Sequence, residues 1–281
     1  HQEAKIILHV VHINHGWRES AADDEQFCRN LCAQHSIALT IEHAANWHEK
    51  VATHKKKNAS PESLAREIRR AVFEHVRTQH NAEAIALAHH ADDQRETFFF
   101  RLIRGSSLTG LCGMHARAGT YIRPLLGIDK KTILAWLQEH NIDYCHDETN
   151  TSDAHLRNRL RATALPALLS VDQRAAHNID RTITRLQDEE EFVSQIAEDV
   201  YASLINEEGW LPREPFCQIH PALQKRLLLI LLISNNVPFT PSTGFFEEMI
   251  RFLSSPTGGS HQIAPHFLLN KKHHLFSIER I

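Results

Sequence analysis

The chain has 281 residues, 42% of them hydrophobic and 23% charged, a balance that suits one large or two modest globular cores and excludes a disordered or fibrous polymer. Its net charge of −3 does not by itself announce a nucleic-acid binder. The longest apolar run, Leu227 to Ile233, is too short to span a bilayer, and no signal-like leader is read, so the expected location is cytoplasmic.

The five cysteines are scattered, and the Cys28/Cys32 pair has no second pair with which to complete a zinc site, so they read as thiols of a reducing compartment. The 22 histidines carry no metal reading. Charge is uneven along the chain. Residues 55–170 hold 17 basic against 13 acidic side chains, while both flanks are acidic. Such a local excess can hold an RNA backbone, and it is also what a solvated face looks like.

In chain order, Ile6 to Val11 is the fully apolar run of a parallel strand covered on both faces. His12, Asn14, His15 and Gly16 stand at its carboxyl end. Phe27, Cys28 and Leu31 predict an amphipathic helix over residues 20–35, with Asp23, Asp24 and Glu25 in the first turn as the helix dipole favours. Ile37 to Ile41 is a second short strand. A basic loop, His54 to Asn58, leads to Ser60 and Pro61, a hydroxyl N-cap followed by proline at the first helical position. In that helix Glu62 and Arg66 are spaced as a surface ion pair, and Arg69 and Arg70 follow.

Ala84 to Ala88 is an apolar run of strand length that passes into helical spacing at Phe98, Leu102 and Ile103. At the join stand His89, His90, Asp92 and Asp93, then Glu96, with Arg101, Arg104 and Gly105 at the far end. Ligands of open parallel sheets bind beyond the carboxyl ends of the strands, so this join is the predicted site. Asp92 and Asp93 can hold Mg²⁺ against nucleotide phosphates, or merely complement the helix dipole.

Gly105 to Met114 reads as a loop, Tyr121 to Leu126 as a strand, Lys130 to His140 as a helix and Asp143 to Cys145 as a strand. The alternation predicts an α/β domain over residues 1–170, an open parallel sheet with helices on both faces. Asp147, Asn150 and the run Arg157-Asn158-Arg159-Leu160-Arg161 fall near its end. Those arginines suit bidentate donation to phosphates, and a solvated helix start has the same composition. Residues 171–206 read as a helical connector, from the spacing of Ile179, Ile183, Leu186, Val193, Ile196, Val200 and Leu204. Residues 207–281 read as a small α+β domain. Its helices lie around Ala222 to Ile233 and Thr243 to Leu253, and its strands, Gln262 to Leu269 and His274 to Ile278, are joined at Lys271-Lys272.

Several of these segments carry a resemblance. The run HHADDQRETFFFRLIRGSSLTGL resembles the tRNA(Ile)-lysidine synthetases, members of the PP-loop (N-type ATP pyrophosphatase) superfamily with its Rossmann-like sheet. Also similar are the strand ending in H-x-x-H-G, the ESLAREIRR helix, the R-G-x-x-x-x-G-L-x-x-M loop, and the D-x-x-N and R-N-x-x-R elements at Asp147 to Arg161. The resemblance implies an ATP-dependent carbon–nitrogen ligase that joins free lysine to C2 of the wobble cytidine of isoleucine tRNA with a CAU anticodon. It implies ATP and Mg²⁺ as cofactors.

By the same resemblance, Asp93 positions Mg²⁺ and nucleotide with Asp92 beside it, and Glu96 reads a lysine ammonium or the cytidine edge. Arg66 holds the cytidine, and Arg157 assists transfer. His15, Gly16 and His90 lie nearest the adenosine. Arg101, Arg104, Arg157, Asn158 and Arg161 contact tRNA, and residues 207–281 help to grip it. The family's S-G-G-x-D-S phosphate loop is not found in the sequence, so the expectation is a chain that starts late or one that does not bind ATP in the usual way. The alternatives are another PP-loop tRNA modifier of the 2-thiolating kind and a non-catalytic tRNA-binding homologue.

Overall fold

The computed structural model of the chain describes residues 6–17, 21–52, 61–145, 156–240 and 242–281. It divides into two compact units, one made of residues 1–105 and 113–180, the other of residues 106–112 and 181–281.

In the first unit, β1 (His9–Asn14) and β2 (Ala38–His43) pair in parallel, with His9 opposite Ala38 and Asn14 opposite His43. Parallel neighbours need a crossover, supplied here by α1 (Ala21–Gln34). A 3₁₀ turn, Ala44–Trp47, leads into α2 (His48–Ala52), and α3 (Pro61–Gln79) follows. Ala65, Ile68, Val72 and Val76 recur at three- and four-residue spacing on α3 and are buried. The last three join Ala44 and Trp47 in a core that also receives Val11 and Ile13 of β1.

The chain then forms β3 (Ile85–Ala86), α4 (Ala91–Ile103), the single turn α5 (Leu108–Leu111), β4 (Arg117–Ala118), β5 (Tyr121–Ile122) and α6 (Lys130–Glu139). β3 runs parallel to β5, and β4 runs antiparallel to it. A continuous helical stretch follows: α7 (Leu156–Arg159), a π-helical turn at Leu160–Ala164, and α8 (Leu165–Ser170).

The predicted α/β layout is present, with three corrections. Among the described residues the sheet is in two pieces, β1–β2 and β3–β5–β4. β3 is shorter than the predicted Ala84 to Ala88, because its ladder ends where the Leu87 N–H donates to the Ile122 carbonyl. Asp143 to Cys145, expected as a strand, has no regular structure and no strand partner among the described residues.

In the second unit, α5 closes a helical turn where a loop was expected. The 30-residue helix α9 (Ala175–Leu204) starts in the first unit and supplies the second with all of its length from Arg181. Next come β6 (Leu211–Pro212), α10 (Arg213–Gln218), α11 (Pro221–Ser234) and α12 (Thr243–Ser254). The chain ends in β7 (Gly259–Ala264), β8 (Phe267–Lys272) and β9 (Leu275–Arg280). The antiparallel order is β6–β9–β8–β7, over a core that includes Phe216, Leu228, Leu232, Met249, Leu269 and Phe276.

The predicted strand from Gln262 to Leu269 is in fact two, broken at His266, whose φ of 65° turns the chain back. The second reversal falls at His273, φ 51°, and not at Lys271-Lys272. Lys271 is instead a buried strand residue. Its ammonium donates to the carbonyls of Phe252 at 2.6 Å and Ser255 at 2.7 Å, and to Ser255 Oγ at 2.8 Å. It therefore closes the carboxyl end of α12, where helix carbonyls are otherwise unsatisfied. Replacing Lys271 by Met should cost about 2 kcal/mol, the scale of buried acceptors left unpaired. Urea unfolding followed by tryptophan fluorescence checks this, and an unchanged midpoint would contradict the capping role.

Candidate functional site

The site is built around the first two turns of α4. After β3 the chain stays extended to His90, whose φ of −122° and ψ of 179° make it the N-cap. His90 Nδ1 accepts the Asp93 N–H at 3.3 Å, and Asp93 Oδ2 accepts the His90 N–H at 3.0 Å. This is a capping box with histidine and aspartate in the two roles. Beyond it, residues three apart share a face. Asp93 and Glu96 make one face of α4, and Asp92 and Arg95 the next.

The Asp93/Glu96 face receives two arginines. Glu96 is 2% exposed, and its carboxylate accepts from Arg157 Nε and, at 2.9 Å, from Arg161 Nε. Arg161 Nη2 also reaches Asp93 Oδ1 at 3.4 Å, and Arg157 Nη2 reaches Thr97 Oγ1 at 3.3 Å. The Arg157 guanidinium lies 6.0 Å from the Phe100 ring centre, on which Arg104 also rests at 5.2 Å. A buried carboxylate needs such partners, because an unpaired charge out of water is strongly unfavourable. Arg161 lies in the π-helical turn, a distortion frequent at functional positions.

The Asp92/Arg95 face borders the same cleft as Glu96 and Arg161 but has other partners. Arg95 is 4% exposed and grips Asp180 with two bonds, 2.8 and 2.5 Å. Its remaining nitrogen meets Asp129 at 2.7 Å and Asp92 at 3.7 Å. Burial works against its charge, but the Asp180 and Asp129 carboxylates prevail and hold its pKa above the ordinary arginine value. Asp92 Oδ2 accepts the Lys130 N–H at 2.8 Å. Between α4 and the α7–α8 stretch is a cleft of about 350 Å³, bordered by Asp92, Glu96, Lys130 and Arg161 and walled by Leu165 and Leu169.

Around the end of β3 the field is cationic. Burial and the charges of Arg123, Arg157 and Arg66 lower the pKa of His89, with Asp93 opposing them. The Nδ1 of His89 and the Nε of Arg123 are buried without a hydrogen-bond partner among the described residues. Arg66 on α3 has its pKa lowered by partial desolvation and by Arg70, Arg157, Arg69 and Arg101. Arg101 donates to the Gly113 carbonyl at 3.1 Å.

The structure brings together Asp93, Glu96, Arg157 and Arg161, with Arg66 close enough to feel both Arg157 and Arg101. Asn158 lies on α7 between the two arginines. Asp92 and Asp93 both come near His90 Nδ1, at 3.7 and 3.4 Å, and Asp92 also accepts the Lys130 N–H of α6. Glu96, expected to read a lysine ammonium or the cytidine edge, accepts from Arg157 and Arg161. His90 serves as the helix cap. His15 has different neighbours: its ring lies 5.0 Å from that of Trp17, and burial, Arg69, His12 and His48 lower its pKa. Gly16 turns the chain with φ 66° and donates to Asn14 Oδ1 at 2.9 Å. Asp147, Asn150, the His54 to Asn58 loop, Ser60 and the side chain of Glu62 lie outside the described residues. Sequence reasoning gave no role to Arg95, to Arg123 or to His89, although it placed His89 at the predicted join. The signal available for the last two was their place at the ends of parallel strands.

Comparison with known proteins follows the same lines. A family model described as a PP-loop domain matches residues 1–168. A tRNA(Ile)-lysidine synthase of Bacteroides thetaiotaomicron is 34% identical over 192 residues, covering 68% of this chain and 44% of the relative. Its namesake in Geobacter sulfurreducens is 34% identical over 211 residues, with 74% and 44% covered, and that of Chlamydia abortus is 36% identical over 188, with 65% and 56% covered. The chain thus spans about half the length of these relatives. Among solved structures, the U34-tRNA thiolase NcsA from Methanococcus maripaludis with its [4Fe-4S] cluster is similar at a TM-score of 0.51 and 19% identity, over 64% of this chain and 61% of that one. At that identity the likeness is one of fold.

His89 and His15 both have folded-state pKa values below the ordinary 6.5. The unfolded chain then binds more protons than the folded one just below pH 6.5, so the stability these rings contribute is complete above that pH and is lost as pH falls through it. Histidine NMR titration should place both rings below 6.5, and unfolding free energy should decline from pH 7 to pH 5. For His89→Gln that decline should be shallower; an equal slope would contradict the assignment.

Proposed function

The chain belongs to the PP-loop domain family, and on that premise we propose that it carries the catalytic domain of a tRNA(Ile)-lysidine synthase. The observation that carries this reading is the set Asp93, Glu96, Arg157 and Arg161, gathered beyond the carboxyl end of a parallel strand, where ligands of such sheets bind. Relatives bearing that name, at 34–36% identity, support it. The substrates are ATP, free lysine and an isoleucine tRNA whose CAU anticodon presents the wobble cytidine. A tRNA substrate places the protein in the cytoplasm, and no helix among the described residues is long and apolar enough to cross a membrane. The thiolase likeness extends to fold and not to chemistry.

The reaction has two steps. The C2 oxygen of the cytidine attacks the α-phosphorus of ATP, and pyrophosphate leaves. The lysine ε-amine, having lost a proton, then attacks C2, and AMP departs with the oxygen. Asp93 orients the nucleotide, its carboxylate anchored by the His90 N–H. Mg²⁺ is commonly held by one or two carboxylates together with phosphate oxygens and water, so Asp93 alone fits it, and the ion would supply charge neutralisation at the phosphates. Among the described residues no group of three His, Cys, Asp or Glu side chains converges on a metal position.

Arg157 and Arg161 each commit Nε to Glu96, which fixes the guanidiniums, and their charge stabilises the separating phosphates. Arg66, whose pKa is lowered by burial and by four other guanidiniums, binds the cytidine or its activated form. His15 and Gly16 flank the nucleotide from the end of β1. An anticodon base unstacked from its loop suits such a pocket. The second unit holds the body of the tRNA.

Labelled lysine should be incorporated into unmodified isoleucine tRNA only with ATP and Mg²⁺ present. Asp93→Asn should lower the rate by about a hundredfold or more while leaving tRNA affinity unchanged; equal rates would remove Asp93 from the site. A Glu96→Gln, Arg157→Gln, Arg161→Gln variant, in which no buried charge is orphaned, should bind tRNA more weakly. Its salt-dependence slope should be smaller by about two. An unchanged slope would mean that neither arginine meets a phosphate.

A further inference from the structure

We propose that Arg95 is the positioning residue of the site: it sets the rotation of α4 about its own axis, and so decides that Asp93 and Glu96, and not Asp92, face the arginines. The inference adds a residue to the reading above, and its kinetic arm rests on that reading.

Arg95 connects three elements. Two parallel N–H bonds join it to Asp180 on α9, within the first unit, and a third joins it to Asp129. Asp129 is the N-cap residue of α6, yet among the described residues its side chain does not cap that helix. The first N–H of α6, at Lys130, is capped instead by Asp92 of α4. The two helices thus exchange services at their N-termini: α4 lends Asp92 to α6, and the cap residue of α6 is spent on Arg95. The Ala91 N–H, bonded to the Ile128 carbonyl at 3.0 Å, closes the same junction through the backbone.

This arrangement fixes an angle. Successive helical residues are about 100° apart, so a rotation of α4 by that amount would bring Asp92 to where Asp93 now stands. A planar guanidinium bonded to two carboxylates from different elements resists such a rotation. A lysine would supply the charge without the fork, and an apolar residue would supply the volume without either. Buried ion pairs are often no more stabilising than an apolar residue of the same size. Arg95 is therefore better explained by the orientation it imposes than by stability.

The test uses Arg95→Met, Arg95→Lys and Asp180→Asn in the full chain, with two independent readouts. The first is the amide shifts of Lys130 and Ala91, whose N–H bonds to Asp92 and to the Ile128 carbonyl cross between α4 and the start of α6 and so report the rotation without any catalysis. In Arg95→Met both should move toward unbonded values while the melting temperature stays within roughly 5 °C; Arg95→Lys and Asp180→Asn should fall between that variant and wild type. The second is lysine transfer: kcat should fall about 10- to 100-fold in Arg95→Met, as for a misplaced reacting group, with tRNA Kd unchanged and partial recovery in Arg95→Lys.

Unmoved Lys130 and Ala91 signals in Arg95→Met would overturn the proposal. If that variant does not fold, unmoved signals in Asp180→Asn would do the same. Absence of lysine transfer by the wild-type chain would count against the functional reading alone, because the NMR readout still decides the role of Arg95.

Discussion

Two adjacent side chains inside α4, Arg95 and Glu96, carry opposite charges, are almost wholly out of water, and do not pair with each other. Being consecutive, they project about 100° apart, so each must import its counter-charge from another element. The desolvation of each ion is worth several kcal/mol and is met only by well-aligned partners. Much of the later half of the first unit is arranged to supply them. The loop before α6 brings Asp129, the start of α9 brings Asp180, and the α7–α8 stretch brings Arg157 and Arg161. The candidate site is a by-product of this requirement, since the arginines that neutralise Glu96 are the ones that reach toward Asp93.

The same constraint shows what the charge count along the chain means. The basic excess of residues 55–170 is not spread as a uniform patch. Part of it is used internally: Arg95 against three carboxylates, and Arg157 and Arg161 against Glu96 and Asp93. Another part stands on α3, where burial and the charges of Arg70 and Arg69 lower the pKa of Arg66. His89 sits in that field and is held toward its neutral form. A region of small net charge can thus present a concentrated cationic surface to a phosphate while its buried charges remain compensated.

The features legible in the sequence are those set by local periodicity. α1, α6, α11 and α12 lie within a residue or two of the spacing-based expectation, and α3 starts at the expected Pro61, because a helix closes its own hydrogen bonds and needs neighbours only for its apolar face. Strands are different, since their length depends on a partner. The Ala84 to Ala88 run is strand-like throughout, yet only two of its residues are paired. The terminal hairpins misled in another way: the chain reverses at His266 and His273, non-glycine residues at positive φ, while Lys271-Lys272, which looks like a turn, is strand. At the candidate site, Asp93, Glu96, Arg157 and Arg161 could be named through the family resemblance, motif by motif. Arg95 could not, because an arginine on a helix ordinarily marks the solvent face, and its Asp180 partner is 85 residues away.

The second unit repeats the device. Glu190 of α9 is nearly buried and accepts two bonds from Arg226 of α11, at 2.8 and 2.5 Å, and a third from Thr109 Oγ1 at 2.8 Å. Gln187 donates to the Cys112 carbonyl at 2.7 Å, and the Cys112 thiol donates to the Leu186 carbonyl at 3.3 Å. The segment directly following α4 is therefore fixed by buried polar bonds among residues of the second unit. Apolar contacts would seat that segment with comparable free energy, but they tolerate sliding and rotation, whereas a forked ion pair with a third donor admits one arrangement. Where a buried charge adds little stability, its presence is best understood through the geometry it enforces. The forks of Arg95 and Arg226 and the three-bonded ammonium of Lys271 place such constraints at the start of the α4 site, in the middle of α9 and at the end of α12. These are junctions where apolar packing by itself leaves an angle undetermined.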